Sequence, residues 1–396
     1  MAEAIVDNEK IKDILERGVE EIIDKQHLEK QLKSGKKLRV KFGIDPTGPK
    51  IHIGRAIILW KLRAFQDLGH RIVLIIGDFT SQVGDASDKN SMRKCLTEKE
   101  IKENMKDYEK QIGKILDLKK IEVRYNSEWL GTLTFKKFLD IAKNFTAQQM
   151  IQRRNFKERW DSENPIGLHE LAYPIMQGYD SVAIKAAVEL GGFDQLFNLM
   201  IGRDMQKIFN QKPQDIMVMT MLNGLDGRKM STSWGNVITI VDEPNDMFGK
   251  IMSMKDELIG DYFELCTRLP IEEIEKIKKE TANPRDLKAR LAKEIVALYH
   301  GERAAQQAKT EFENVFQRKE LPSEMSEWQV KKGDYNILDL LFESGLTPSK
   351  AEAKRMVLGG AVEINGQQET DWQEIIKVKN NMTIQIGKRK FVRIKV

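Results

Sequence analysis

One short stretch, Lys41-Phe-Gly-Ile-Asp-Pro-Thr-Gly-Pro-Lys-Ile-His-Ile-Gly-Arg55, holds several residues that could handle a phosphorylated ligand. His52 can donate to a phosphate oxygen, and Arg55 is a permanent, fork-shaped cation. Asp45 and Thr47 offer a carboxylate and a hydroxyl, and Gly54 lacks the Cβ that would hold a flat base or ribose away. Residues 38–44 have the apolar, β-branched look of a strand, whereas Ile57, Ile58, Leu62, Phe65 and Leu68 recur at helical spacing. A strand thus runs through an Asp-Pro-Thr-Gly-Pro turn into a helix that opens near His52. Parallel α/β sheets bind nucleotides at such junctions, where free N–H groups and the helix dipole favour phosphate. Taken alone, the stretch reads equally well as a shaped turn with His52 as a helix cap.

A second set lies about 180 residues further on, in Asp226-Gly-Arg-Lys-Met-Ser-Thr-Ser233, after the strand-like run 216–221. Its Asn-Gly and Asp-Gly dipeptides mark a loop. Between the two sets, residues 168–186 read as a helix on which Tyr173, Gln177 and Asp180 fall at i, i+4 and i+7 and share a face. A phenol, an amide and a carboxylate do not make a core stripe; they suit a polar amino acid. Gly191-Gly-Phe-Asp-Gln195 follows. In order and spacing these four motifs resemble those of the tyrosyl-tRNA synthetases, within the class I aminoacyl-tRNA synthetases, over nearly the whole chain.

The resemblance implies tyrosine–tRNA ligase chemistry in two steps. L-tyrosine and ATP give tyrosyl-adenylate, and the 3′-terminal adenosine of tRNA(Tyr) then takes the acyl group. Mg2+ is expected on the ATP phosphates and not in a dedicated protein site. By the same resemblance His52, Arg55 and Lys229 are the catalytic groups, and Asp45, Thr47, Gly54, Gly192, Asp194, Met230 and Ser231 line ATP. Lys41, Asp85, Tyr173, Gln177, Asp180 and Gln195 surround tyrosine, with Asp180 accepting from its hydroxyl. Neither step needs a protein nucleophile, so positioning and stabilisation of charge on a pentacovalent phosphate carry the catalysis.

Some positions depart from the family pattern. Lys41 stands where many members carry tyrosine, as in one subgroup, and that subgroup is expected to carry an acid where Ala187 stands. Arg55 replaces the second histidine of one signature and Thr232 the second lysine of the other; Arg55 and Arg228 are expected to supply the missing contacts. The loop after Gly84 reads Asp85-Ala-Ser-Asp, not the commoner Asp-Pro-Ser-Gly. Two alternatives stand beside the main reading. A tryptophanyl-type synthetase shares both signatures but lacks the Tyr173-Gln177-Asp180 stripe and the C-terminal tail. A non-catalytic RNA-binding paralogue, motivated by Thr232 and Arg55, would have lost the amino-acid pocket.

The chain's 396 residues allow two or three domains with ample core. The fold class expected is α/β: a doubly wound, Rossmann-like parallel sheet with a helical insertion, then a helical domain and a small α+β domain like that of ribosomal protein S4. The boundaries expected are 1–244 for the catalytic domain, with a dimerisation and acceptor-end insertion at about 126–167. An anticodon-side helical domain at 245–320, a linker at 321–333 and the S4-like RNA-binding domain at 334–396 complete it. Residues 1–37 read as a helical segment and 97–116 as one charged helix. From Lys331 onward there are 12 Lys plus Arg against 8 Asp plus Glu, so this tail carries +4 of the chain's +5. Such concentration is the footprint of an RNA binder. Lys350, Lys354 and Arg355 cluster on a helix opened by Thr347-Pro348, and Asn365-Gly366 suggests a hairpin. By resemblance Arg153 and Arg154 face the tRNA acceptor end, and the protein is a homodimer. His27, His70, His169 and His300 read as structural or surface residues. Cys95 and Cys266 offer neither a disulfide framework nor zinc spacing and suit a reducing cytosol. The acidic N-terminus lacks signal-peptide character, and no apolar run approaches a membrane span. A cytoplasmic protein is therefore expected. Neither a P-loop pattern nor His-Glu-x-x-His occurs.

Overall fold

The computed structural model describes residues 3–85, 95–231, 234–317, 325–387 and 390–396. The chain folds as two units, Met1–Asp242 with Met254–Ala282, and Glu243–Ser253 with Asn283–Val396. In the first unit β1 (Val19–Ile23), β2 (Arg39–Ile44), β3 (Arg71–Ile76), β4 (Ile121–Tyr125), β5 (Val188–Gly192) and β6 (Asp215–Met219) form one sheet. Its order is β1-β6-β5-β2-β3-β4, parallel throughout except for β1 against β6. After its first residue β3 is wholly buried, as Ile-Val-Leu-Ile-Ile requires when helices cover both faces. From β2 the chain steps outward through β3 to β4, then returns past β2 to β5 and β6. The order reverses between β2 and β5, and the crevice outside their carboxyl ends is where open α/β sheets hold ligands.

Two long helices frame that crevice. Ile53–Asp67 leaves β2 through the expected turn, with His52 as its N-cap. Leu168–Ile184 carries the polar stripe and continues through Pro174. The insertion between β4 and this second helix holds Phe135–Ala142, Ala147–Ile151 and Arg154–Asp161. It packs Ile141 and Met150 against Ile175, Val182 and Ile201.

Several elements differ from expectation. Residues 1–37 are not wholly helical: Gly18, at φ 62°, ends the first helix region, and β1 then covers the open edge of β6. Residues 97–116 break into Glu98–Met105 and Tyr108–Ile112, because Asp107 leaves helical geometry and the chain re-aims to bury Tyr108 and Ile112. The helical segment expected at 245–320 is divided between the two units. Its 254–282 part joins the first, where Arg17 donates to the carbonyls of Glu264, Thr267 and Leu269, each at 2.9 Å.

In the second unit Pro244–Met252, Pro284–His300 and Glu302–Gln317 pack together. A small module follows, built from β7 (Ser326–Gln329), β8 (Asp334–Asn336), β9 (Val362–Ile364), β10 (Gln367–Glu369), β11 (Ile375–Lys377), β12 (Thr383–Ile386) and β13 (Lys390–Lys395). Five of these form a sheet ordered β10-β9-β12-β13-β7, while β8 and β11 pair separately. Part of the expected linker is thus a strand, β7, which runs parallel to β13; residues 321–324 lie outside the described residues. The hairpin forms as expected, with Asn365 at φ 52° and Gly366 at φ 79°, the two positive values of a type I′ turn. The helix Lys350–Leu358 is capped by Ser349 and not by Thr347, whose hydroxyl is buried and donates to Leu341 O. No helix among the described residues is long and apolar enough to cross a membrane.

Candidate active site

Asp45 follows β2 and lies across the crevice. Its Oδ1 accepts from Thr80 Oγ1 at 2.8 Å and its Oδ2 from the Tyr173 hydroxyl at 2.9 Å. A Cβ on Gly77 would stand 1.9 Å from that Oδ1, so only glycine just after β3 leaves room for the carboxylate. Burial and the Asp45 charge push the Tyr173 phenol well above its usual range, which keeps it a donor.

The turn after Asp45 is held by Arg55, whose Nη2 donates to Thr47 Oγ1 at 2.8 Å. His52 accepts the backbone N–H of Arg55 on Nδ1 at 3.3 Å. Burial, with Arg55 adding to it, lowers the imidazole to about 3, so the ring is neutral with its proton on Nε2. A neutral N–H donor at a helix start therefore faces the crevice. A Cβ on Gly54 would come within 3.1 Å of both His52 Nδ1 and Met230 Sδ, so this glycine also lets the two signatures meet.

The 226–231 loop is stapled by a residue that sequence reasoning missed. Asn236 donates to Asp226 Oδ1 at 2.8 Å and to Lys229 O at 3.1 Å, and accepts from Ser231 N at 2.8 Å. Lys229 Nζ reaches Asp194 Oδ2 at 3.3 Å, which brings the loop to the end of β5. Arg228 pairs with Asp226 and lies 4.9 Å over the Trp234 ring, with its side chain still largely exposed. Thr232 lies outside the described residues.

At the far end Tyr173, Gln177 and Asp180 all line the crevice. Asp180 is 3% exposed; its Oδ1 accepts from Trp129 Nε1 at 2.7 Å and its Oδ2 lies 3.4 Å from Asn126 Nδ2. Gln177 accepts from Asn198 Nδ2 at 2.9 Å, which also donates to Gln195 Oε1 at 3.0 Å. Gln195 donates to Asp85 Oδ2 at 2.6 Å. Thr80, Asn126, Trp129 and Asn198 were not singled out in the sequence; Asn126 directly follows β4, a position where parallel sheets place ligand contacts, and Trp129 lies in the short helix Ser127–Leu130 after it.

Of the residues expected at tyrosine and ATP, all but Lys41 and Ser231 line a single cavity of about 290 Å³. Ser231 donates its backbone N–H to Asn236 Oδ1. Lys41 is fully buried beneath the cavity, and its Nζ pairs with Glu189 Oε1 at 2.8 Å. It is not a substrate contact, because all three of its N–H bonds are engaged by the protein: the others reach Ser181 Oγ at 2.8 Å and Gln177 O at 3.0 Å. Glu189, two residues beyond Ala187, is the acid that Lys41 calls for.

The basic run of the insertion also needs correction. Arg153 is 4% exposed and pairs with Asp85 Oδ1 at 2.7 Å, so it braces a wall of the cavity and is not a surface cation. Arg153, Phe156 and Arg159 point inward at intervals of three, with Arg159 paired to Glu170 at 2.8 Å. Arg154 remains largely exposed beside Glu158. In the C-terminal module Lys350 pairs with Asp339 at 2.5 Å and Arg355 with Glu352. Lys354 lies 3.5 Å over the Trp372 ring.

Residues 33–317 match the family described as class I tRNA synthetases (W and Y), and residues 312–394 match the SYY-like C-terminal domain of tyrosine–tRNA ligases. The tyrosine–tRNA ligase of Moorella thermoacetica is 47% identical, with 96% of this chain and 94% of the relative aligned. That of Thermotoga maritima is also 47% identical, over 96% of each chain. In fold, the chain resembles a C-terminally truncated mitochondrial tyrosyl-tRNA synthetase of Aspergillus nidulans, with a TM-score of 0.67 at 21% identity, over 78% of this chain and 94% of the other. The tyrosyl-tRNA synthetase of Archaeoglobus fulgidus, solved with L-tyrosine, gives 0.60 at 23% identity, over 76% and 99%. The first family match admits tryptophan or tyrosine enzymes; the C-terminal match and the full-length relatives decide between them, and the chain belongs to the class I tyrosyl-tRNA synthetases of bacterial type.

Proposed function

We infer that L-tyrosine lies with its phenol at Asp180 and its ammonium among Tyr173, Gln177, Asp85 and Gln195, while ATP occupies the side formed by His52, Gly54, Gly192, Asp194 and Met230. The observation that carries this reading is the single cavity joining both sets of residues. A carboxylate oxygen of tyrosine attacks the α-phosphorus of ATP, the bond to the β-phosphate oxygen breaks, and pyrophosphate leaves with tyrosyl-adenylate remaining. A terminal ribose hydroxyl of tRNA(Tyr) then attacks the tyrosyl carbonyl and AMP departs.

His52 donates from Nε2 as charge grows on the phosphate, without changing its own protonation. Lys229 supplies a cation from the loop, and its contact with Asp194 gives the ammonium a defined place before ATP binds. Arg55 holds the Asp45–Thr47 turn and adds positive potential at the phosphate end. Mg2+ bound to the ATP phosphates would offset part of their charge. The cavity's donor set suits an ion brought by the phosphates, because Asp45 and Asp194 are already engaged by Thr80, Tyr173 and Lys229. The homodimer rests on the insertion, where Phe135, Leu139 and Trp160 are large, apolar and at least half exposed; Leu168, which opens the following helix, is exposed as well. Arg154, Lys350, Lys354 and Arg355 remain the proposed tRNA contacts; Arg153 is withdrawn from that set.

The test is ATP–pyrophosphate exchange without tRNA, supplying each amino acid in turn. Tyrosine should be the only standard amino acid supporting it, and equal exchange with phenylalanine or tryptophan would remove the reading. His52→Ala and Lys229→Met should each slow single-turnover adenylate formation by about 10²–10³-fold, the usual loss for one preorganised donor. The tyrosine KM should stay unchanged in both. A raised tyrosine KM with unaltered rate would place these residues in ground-state binding instead.

A further inference from the structure

Lys41 and Glu189 are direct register partners on the adjacent parallel strands β2 and β5, at the point where the sheet order reverses. Their side chains are 0% and 1% exposed. Burying two charges is costly unless every lone pair and proton is satisfied, and here each is answered. Lys41 spends its three donors on Glu189, Ser181 and Gln177 O. Glu189 accepts on Oε1 from Lys41 and from Gln177 Nε2 at 3.3 Å, and on Oε2 from Ser181 at 2.9 Å and from Gln214 Nε2. Gly202 closes the nest from above: a Cβ there would stand 2.7 Å from Gln214 Nε2 and 3.1 Å from Ser181 Oγ.

This arrangement has a consequence for the cavity. A carboxylate only accepts hydrogen bonds, so Gln177 must turn its NH2 toward Glu189 and its carbonyl oxygen the other way. There Oε1 takes one bond from Asn198 and keeps a second lone pair. We propose that the Lys41–Glu189 pair is a positioning device that fixes which end of the Gln177 amide faces the substrate, so that an acceptor meets tyrosine's ammonium. Lys41 contributes by making a buried carboxylate tolerable at Glu189, not by touching the substrate. The inference rests on the assignment of Gln177 to the ammonium.

Two competitive inhibitors of pyrophosphate exchange separate the effects. L-tyrosinol keeps the ammonium and the phenol; 3-(4-hydroxyphenyl)propionate keeps the phenol and the carboxylate but has no ammonium. In Glu189→Gln the isosteric amide can itself donate, so the orientation of Gln177 is no longer imposed. The Ki of tyrosinol and the KM of tyrosine should rise about tenfold, the scale of one hydrogen bond to a charged group. The Ki of the propionate and the KM of ATP should not move. Should that variant not fold, Lys41→Met with Glu189→Leu carries the same expectation, since apolar replacement of a whole buried ion pair is often tolerated. Parallel weakening of both inhibitors, or unchanged tyrosinol binding in a folded variant, would overturn the proposal. Gln177→Ala is the control. If it leaves tyrosinol binding unchanged, the assignment of Gln177 falls and the inference with it; if it weakens tyrosinol while the ion-pair variants do not, only the inference falls.

Discussion

In Asp180→Asn, kcat/KM for tyrosine is expected to fall by about two orders of magnitude while that for phenylalanine does not fall, the loss of a charged acceptor being the cause. Trp129 Nε1 requires an acceptor at 2.7 Å, so the new amide must turn its oxygen toward the indole. Its NH2 then lies where the second carboxylate oxygen had been, and the substrate phenol meets a donor in place of an acceptor. A site built to bond a hydroxyl rejects the analogue lacking it because its buried acceptor is left unpaired. Tyrosine-activating enzymes are the general illustration of that rule, at roughly 10⁵-fold, and the figure is theirs and not a quantity obtained for this chain. Measuring both amino acids in pyrophosphate exchange decides the matter. A parallel fall would make Asp180 a structural residue.

The same carboxyl sets a pH dependence. Burial pushes Asp180 up to about 7, against the opposing effects of Lys41, Trp129 and Asn126 and with Glu189 adding to the rise. Below that value the free enzyme carries a protonated Asp180, which offers the phenol a competing donor. Tyrosine kcat/KM should therefore decline as pH falls below about 7, since that ratio reports groups of the free enzyme. Stability moves the other way. Because the folded value lies above the usual carboxylate range, the native state holds a proton that the unfolded chain releases between the two values. Asp180's contribution to stability is full in acid and is lost as pH rises through 7. Asp180→Asn should accordingly melt higher than the parent at pH 8 and flatten the tyrosine pH profile. A parent profile flat from pH 6 to 8 would contradict the shift.

The parts of this site written as local pattern were legible in the sequence. The strand–turn–helix around His52, the shared face of Tyr173, Gln177 and Asp180, and the glycine-rich end of β5 follow from periodicities of two and 3.6 and from turn residues. What depends on which distant side chains meet was not. Arg153 looks like part of a basic surface until the insertion folds and its register turns it toward Asp85. Arg228 looks like a spare cation until Asp226 and Trp234 take it. Lys41 looks like a substrate contact, although a lysine in one buried strand and a glutamate in another already form a signal. Charges are almost never fully buried unless paired, so each implied the other. The edge strand β1 was hidden for a related reason: Val-Glu-Glu-Ile-Ile becomes a strand only because β6 presents an open edge to it.

Removal of residues 325–396 is expected to leave tyrosine-dependent pyrophosphate exchange intact and to lower the kcat/KM of tRNA charging by about 10²–10⁴-fold, the avidity lost when one of two tethered binding surfaces goes. Adenylate formation should survive because the cavity residues all belong to the first unit. The module also has its own interior, with Ile337, Leu341, Val357, Val362 and Ile384 fully buried together. The cut belongs at 325 and not at 334. β7 runs beside β13, and a chain ending at 333 would leave that strand without its partner. Since the tail from Lys331 carries +4 of the net +5, the residual tRNA binding should also be less sensitive to salt, each lost phosphate contact flattening the slope by about 0.7–0.9. Loss of exchange in a truncation that still melts cooperatively would show that the module supports the first step. Undiminished charging with an unchanged salt slope would show that it does not bind tRNA.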